Sequence, residues 1–189
     1  MATLWQSVKQ WLGLQPAHEA TVADALYVRA VAQARQPEWY TQGGVPDTLD
    51  GRFEMILLHL FALQERLERC QSKAFALAVQ RSLSETFFRD MDRSLRELGV
   101  ADTGIGRRIK NMAEAYFGRM QAYRTARSTP MMDGWTQALA KNVYGTAPVG
   151  NVHWLATQLE RWFTTLEQMP DAELIGQQTA PLASARSAA

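Results

Sequence analysis

A single cysteine, Cys70, cannot close an internal disulfide, so this chain of 189 residues is not a small secreted scaffold held by cross-links. No run of eighteen apolar residues exists. Stretches such as Met55–Leu58 and Leu60–Leu63, separated by His59, are far too short to span a bilayer. An excess of one charge is missing too. The formal net charge is +1, so bulk electrostatics points neither to DNA nor to an anionic membrane. Residues 1–15 carry Lys9 as their only cation and no long apolar core, which argues against a secretion signal or an arginine-rich presequence. The first reading is therefore a cytoplasmic protein. Sustained period-two alternation and Asn-Gly or Asp-Gly hairpin signals are also lacking, which removes most β architectures.

What is present is helical periodicity on a composition able to bury one core: 47% hydrophobic and 21% charged residues. Leu4, Trp5, Val8, Trp11 and Leu12 share a helix face, and Gly13 stops it. A second helix runs over about 19–34 with Val22, Leu26 and Val31, and Pro37 opens a short turn to Tyr40. Gly43-Gly44-Val45-Pro46 breaks the chain. A third helix, capped by Asp47 or Asp50, buries Phe53, Ile56, Leu57, Leu60, Phe61, Gln64 and Leu67. A fourth, over about 73–98, carries Val79, Leu83, Phe87, Met91, Leu95 and Leu98, with Gly99 as a left-handed cap. After a loop at 100–106, a fifth helix over about 106–126 turns Ile109, Met112, Ala113, Tyr116, Phe117, Met120 and Tyr123 inward. Pro130 starts a sixth, using Trp135, Leu139 and Val143. Asn151 caps a seventh, with Trp154, Leu155, Leu159, Trp162, Phe163 and Leu166 inward, and Pro170 ends it. The expectation is an all-α, single-domain bundle of about six to seven helices, with antiparallel neighbours joined by short connections. Its parts are an N-terminal amphipathic helix (1–15), a helical domain (16–176) and a disordered tail (177–189).

Candidate chemistry is sparse. His18, His59 and His153 show no metal-ligand spacing with each other or with Cys70, so no metal and no cofactor is expected. Arg66 and Arg69 near Cys70 favour a thiolate, but no nucleophile elbow or partner base accompanies it. Asp90 and Asp92 point apart on a helix, and Asp47 and Asp50 read as helix caps; no catalytic residue emerges. Gly104-Ile105-Gly106-Arg107-Arg108 resembles a small anion nest, with no strand before it to make a nucleotide site. Charge is uneven, however. Residues 104–127 hold Arg107, Arg108, Lys110, Arg119, Arg124 and Arg127 against Glu114 alone, +5 on a chain of +1. This segment is either a solvated face or a surface for an anionic partner. Trp5 and Trp11 either pack on the bundle or contact a membrane interface.

Two sequence blocks add a resemblance. One is Gly44-Val45-Pro46-Asp47-Thr48-Leu49-Asp50-Gly51-Arg52-Phe53-Glu54-Met55, followed by the apolar helix with His59. The other is Phe88-Arg89-Asp90-Met91-Asp92-Arg93-Ser94-Leu95-Arg96-Glu97-Leu98-Gly99-Val100, followed by 102–110 and Met112-Ala113-Glu114-Ala115-Tyr116-Phe117-Gly118-Arg119. Together, over roughly residues 20–145, the chain resembles the ubiquinol–cytochrome c chaperone family. The resemblance implies a non-enzymatic assembly chaperone for respiratory complex III, of bacterial type, whose partner is newly made cytochrome b or an early assembly intermediate. It implies contact with the ribosome in the mitochondrial members. It places this chain in the cytoplasm, with peripheral contact at the inner face of the cytoplasmic membrane and no DNA partner. Asp50, Arg52, Arg93 and Arg96 become candidate partner-binding residues, with internal pairing of Arg52, Asp90 and Arg93 as the alternative. Arg107, Arg108, Lys110 and Arg119 become candidates for an outer surface, because few acids lie near them in sequence. Tyr116 and Phe117 are expected in the core. The rival functions are a membrane-surface lipid- or quinone-binding protein, a magnesium-dependent prenyl or phosphate enzyme using Asp47 and Asp50, and an RNA-contacting protein.

Overall fold

The computed structural model describes residues 18–128, 132–145 and 150–176, and no strand occurs among them. The amphipathic helix expected at 1–15, with Trp5 and Trp11, and the tail expected at 177–189 lie outside the described residues. The helices are α1 (His18–Ala34), α2 (Glu38–Thr41), α3 (Leu49–Glu68), α4 (Lys73–Glu97), α5 (Asp102–Ser128), α6 (Met132–Leu139), α7 (Val152–Gln168) and α8 (Asp171–Leu174). A π-helical turn, Ala140–Tyr144, continues α6.

The middle of the fold is α3. Its residues from Glu54 to Leu63 are all buried, on every side of the helix rather than along one stripe. Such a helix needs neighbours all round, and α1, α4, α5, α7 and the π turn supply them. The N-terminal signal is chemically of the expected kind but falls between the two aspartates. Thr48 is the N-cap, its Oγ1 accepting from the Gly51 amide at 3.1 Å. Asp47 instead pairs with Arg52 at 2.6 Å, and Asp50 lies in the first turn, where the positive end of the helix dipole favours a carboxylate.

Along α4, Val79, Leu83, Phe87, Met91 and Leu95 are buried at i,i+4 spacing. The helix then ends in a Schellman arrangement: Gly99, at φ +74°, donates to the Arg96 carbonyl, and the Val100 amide donates to Leu95. Leu98 therefore leaves the buried stripe and is 62% exposed. The next helix begins at Asp102, not after Gly106, because burial of Ile105 outweighs the poor helix propensity of Gly104 and Gly106. Tyr116 is buried, as expected, but Phe117 is 65% exposed. Neighbouring helical positions point about 100° apart, and Tyr116 takes the inward position with its hydroxyl 3.1 Å from Gln64 Nε2 and 2.9 Å from Ser84 Oγ.

Side-chain bonds to backbone carbonyls fix the connections. Trp39 Nε1 donates to the Gln33 carbonyl and the Tyr40 hydroxyl donates to Ala34, folding α2 back on α1. The loop between α2 and α3 meets the loop before α7 at one carbonyl. Gly43 accepts from the Tyr144 hydroxyl at 2.6 Å and from the Asn151 amide at 2.9 Å. Asn151 caps α7 as expected, accepting from the Trp154 amide.

Candidate functional site

The N-terminal end of α3, the C-terminal half of α4, the middle of α5 and the π turn enclose an open groove of about 720 Å³. Each wall is a helical stripe. Leu49, Phe53 and Ile56 come from α3, Met91, Leu95 and Leu98 from α4, and Met112 and Ala115 from α5. The π turn adds Lys141, Asn142, Val143 and Tyr144. Its wider backbone carries these side chains to the groove while the Tyr144–Gly43 bond anchors its end. Single π turns inside helices recur at functional positions. Beside this groove, between α1 and α4, lies a second of about 640 Å³, lined by residues that include Tyr27, Val28, Val31 and Arg89. Arg35 and Asp90 line both.

The groove is apolar on its walls and polar at its edges, and most of its charges are already paired. Glu54, only 6% exposed, is held by Arg119 at 2.9–3.1 Å and accepts from the Tyr123 hydroxyl at 3.3 Å. Burial pushes the Glu54 carboxyl up from its ordinary value, against the downward pull of the Arg119 hydrogen bond and charge. The Tyr27 hydroxyl donates to Asp90 at 2.7 Å, and Arg93 pairs with the other oxygen of the same carboxylate. The Tyr27 hydroxyl titrates well above its ordinary value, first because it is buried and then because of Asp90.

The expected site residues divide into three groups. Asp50, Arg52 and Arg119 line the large groove, and Arg93 lines the second. Arg96 lines neither and pairs with Asp92 at 2.7 Å on its own helix. Arg107, Arg108 and Lys110 are exposed on the N-terminal half of α5, with Lys110 3.9 Å from Glu114. Arg108 stands one turn before Met112 on the stripe that faces the groove.

Arg119 corrects the argument from sequence spacing. It is half-buried and tied to Glu54, 65 residues away, rather than free on an outer surface. Arg124 pairs with Glu65 and Glu68, and Arg127 pairs with Glu160 while its guanidinium lies 3.7 Å from the centre of the Phe163 ring. The C-terminal half of the basic helix thus fastens α5 to α3 and α7, and acids distant in sequence supply the partners. Of the internal pairing offered for Arg52, Asp90 and Arg93, only Asp90–Arg93 forms, and it lies within α4 rather than between helices. Arg52 pairs locally with Asp47, and Asp90 joins α4 to α1 through Tyr27. Sequence reasoning also missed Leu49, Lys141 and Arg35 as groove residues, because nothing local marks them.

The remaining chemical candidates stay structural. No group of histidine, cysteine and carboxylate side chains able to hold a metal occurs among the described residues. Cys70 is buried, and burial followed by the charge of Asp171 pushes its thiol up, against the downward pull of Arg66, so no activated thiolate forms there. Arg66, 7% exposed, reaches Cys70 Sγ with Nη1 at 3.4 Å, but most of its donors go elsewhere. It donates to the carbonyls of Leu166 (2.8 Å) and Met169 (2.6 Å) and pairs with Asp171 (2.6 Å). No helix among the described residues is long and apolar enough to cross a membrane.

A family model described as ubiquinol-cytochrome C chaperone matches residues 41–180. Among solved structures, the chain is similar to the Cbp3 homolog from Brucella abortus. The two are 28% identical, the match covers 92% of this chain and 93% of that one, and the TM-score is 0.73. No curated protein matches the chain.

Proposed function

The chain belongs to the ubiquinol-cytochrome C chaperone family, and from that membership we propose that it is a non-enzymatic assembly chaperone for ubiquinol–cytochrome c reductase. It holds newly made cytochrome b, or an early assembly intermediate, in the groove between α3, α4 and α5. The observation that supports this reading most is convergence. The two sequence blocks that carry the family resemblance are about thirty residues apart, and both supply walls of the same groove: Pro46 to Ile56 from one and the helix that follows it, and Asp90 to Leu98 with Met112 to Arg119 from the other. A membrane subunit before assembly exposes apolar surface, and an open apolar groove with a polar rim shields such a segment and releases it without chemistry. No bond is made or broken in this role.

Arg107, Arg108 and Lys110 supply an outward positive surface at the groove's α5 end. On this reading they meet an anionic partner, either the ribosome or the inner face of the cytoplasmic membrane, and membrane contact adds Trp5 and Trp11. The location proposed is cytoplasmic and peripheral to that membrane.

The test is deletion of the gene, followed by reduced-minus-oxidised spectra and a complex III activity assay on membranes. The expected result is selective loss of b-type haem absorbance and of complex III, restored by the wild-type chain and not by one with Leu49→Ser and Leu98→Ser. Charge reversal at Arg107, Arg108 and Lys110 tests the outer surface separately. Normal complex III with intact cytochrome b in the deletion strain contradicts the proposal and turns attention to lipid or quinone binding.

A further inference from the structure

Exposed apolar side chains are not scattered evenly on this molecule. Of the five large ones among the described residues, three line the two adjoining grooves: Val28, Leu49 and Leu98. The grooves meet at Arg35 and Asp90. Asp90 is committed to Tyr27 and Arg93, and Glu54 to Arg119. Arg35 and Lys141 line the large groove but form no ion pair with any described carboxylate. The only other groove charge without an ion-pair partner among the described residues is Asp50, exposed at the first turn of α3.

We infer that the large groove takes an apolar helix bearing a carboxylate, seated with that carboxylate against Arg35 or Lys141. This deepens the chaperone reading by specifying the chemistry of the segment held. The helical form follows from hydrogen-bond accounting. Apart from Pro46 and Thr48 and the helix-end residues Arg35, Leu98 and Gly145, the walls are helical backbone bonded within itself, and no strand edge lines the groove, so it offers side chains and no free ladder of amides. An extended segment laid there leaves its own N–H and C=O groups unpaired against apolar walls, whereas a helix arrives with them satisfied. Size agrees. A cavity that takes one benzene is roughly 150 Å³, so about 720 Å³ receives about five such side chains. That is the number one face of a helix presents at i, i+3, i+4, i+7 and i+8. Charge selects the rest. Covering Arg35 and Lys141 with an uncharged apolar helix strips water from two cations without replacement, while a carboxylate on the incoming helix restores a partner.

The probe is a capped, fluorescein-labelled helical peptide with leucines at i, i+3, i+4 and i+7 and one glutamate, compared with its glutamine twin by fluorescence anisotropy on the full chain. The glutamate peptide is expected to bind about tenfold more tightly, the order of one charge-assisted contact. Arg35→Gln with Lys141→Gln abolishes that preference. Leu49→Ser with Leu98→Ser weakens both peptides. All four positions are exposed, and circular dichroism checks that the variants fold. Equal binding of the two peptides, no binding of either, or indifference to the leucine substitutions overturns the inference. Binding of phosphatidylglycerol vesicles without peptide binding also overturns it, in favour of a lipid surface, and self-association that blocks the peptide does so in favour of a second copy. The two readings fail separately. A chain that restores complex III yet shows no peptide preference removes this inference alone. A chain that prefers the glutamate peptide yet plays no part in complex III removes the assembly reading.

Discussion

His59 should make this protein acid-sensitive by an amount that one substitution removes. The residue sits in the middle of α3, fully buried, with Trp39 and Trp162 rings at 5.3 and 5.9 Å between centroids. Its Nδ1–H donates to the Met55 carbonyl at 2.8 Å, and Nε2 has no hydrogen-bond partner among the described residues. Burial pulls the imidazole down from 6.5 to about 4, and the hydrogen bond to Met55 opposes this only in part. The unfolded chain therefore takes up a proton near pH 6.5 while the folded chain refuses it until about pH 4. Stability is complete above the unfolded value and is lost as pH falls between the two. At 1.36 kcal/mol for each tenfold change in proton activity, the loss is about 3 kcal/mol. His59→Leu keeps the site apolar and removes the titration. Its cost in packing is the same at every pH, and the carboxylates that titrate in the same window act on both proteins alike. Urea unfolding followed by tryptophan fluorescence, at intervals from about pH 7.5 to about pH 4, should show wild type losing about 3 kcal/mol more than His59→Leu. Parallel stability curves for the two proteins would mean that the buried imidazole does not set the acid limit.

Three more outcomes are expected from the packing. Arg66→Ala abandons the carbonyls of Leu166 and Met169 and the carboxylate of Asp171; chemical denaturation should show a loss of about 3–5 kcal/mol. Gly51→Ala discriminates between two effects of opposite sign. Helix propensity favours alanine by about 1 kcal/mol, but a Cβ there would sit 2.0 Å from the Pro46 carbonyl oxygen, so a loss of about 1–3 kcal/mol is expected on thermal unfolding. Cys70, buried and with its thiol pushed up, should react with iodoacetamide only when the chain unfolds, so that labelling in the native state follows global opening rather than thiolate chemistry.

Much of the architecture was legible because it is periodic. The apolar spacing of α3, α4 and α7 marks those helices, Asn151 marks a cap, and Gly99 marks the left-handed end of α4. Local chemistry was less decisive where two groups compete for one role. Thr48 caps α3 because Asp47 is occupied by Arg52, and Tyr116 rather than Phe117 turns inward because its hydroxyl finds Gln64 and Ser84. Long-range partnership was not legible at all. The cations of α5 look unpaired along the chain, yet Glu54, Glu65, Glu68 and Glu160 reach three of them from other helices. The groove has the same character. Asp50, Arg52, Arg93 and Arg119 carry motif signals, while Arg35 and Lys141 join the grooves only through the packing of α1 and the π turn against the rest.

The chaperone reading stands or falls on whether the groove between α3, α4 and α5 holds cytochrome b before it joins its complex. Site-specific photo-crosslinking in growing cells decides this, with the crosslinker placed singly at Leu49, Leu98 or Leu77. All three side chains are exposed, and only Leu49 and Leu98 belong to the groove. Adducts with newly made cytochrome b are expected from Leu49 and Leu98 and none from Leu77. Cytochrome b captured equally from Leu77, or from none of the three while complex III assembles through this protein, would contradict the proposed role of the groove.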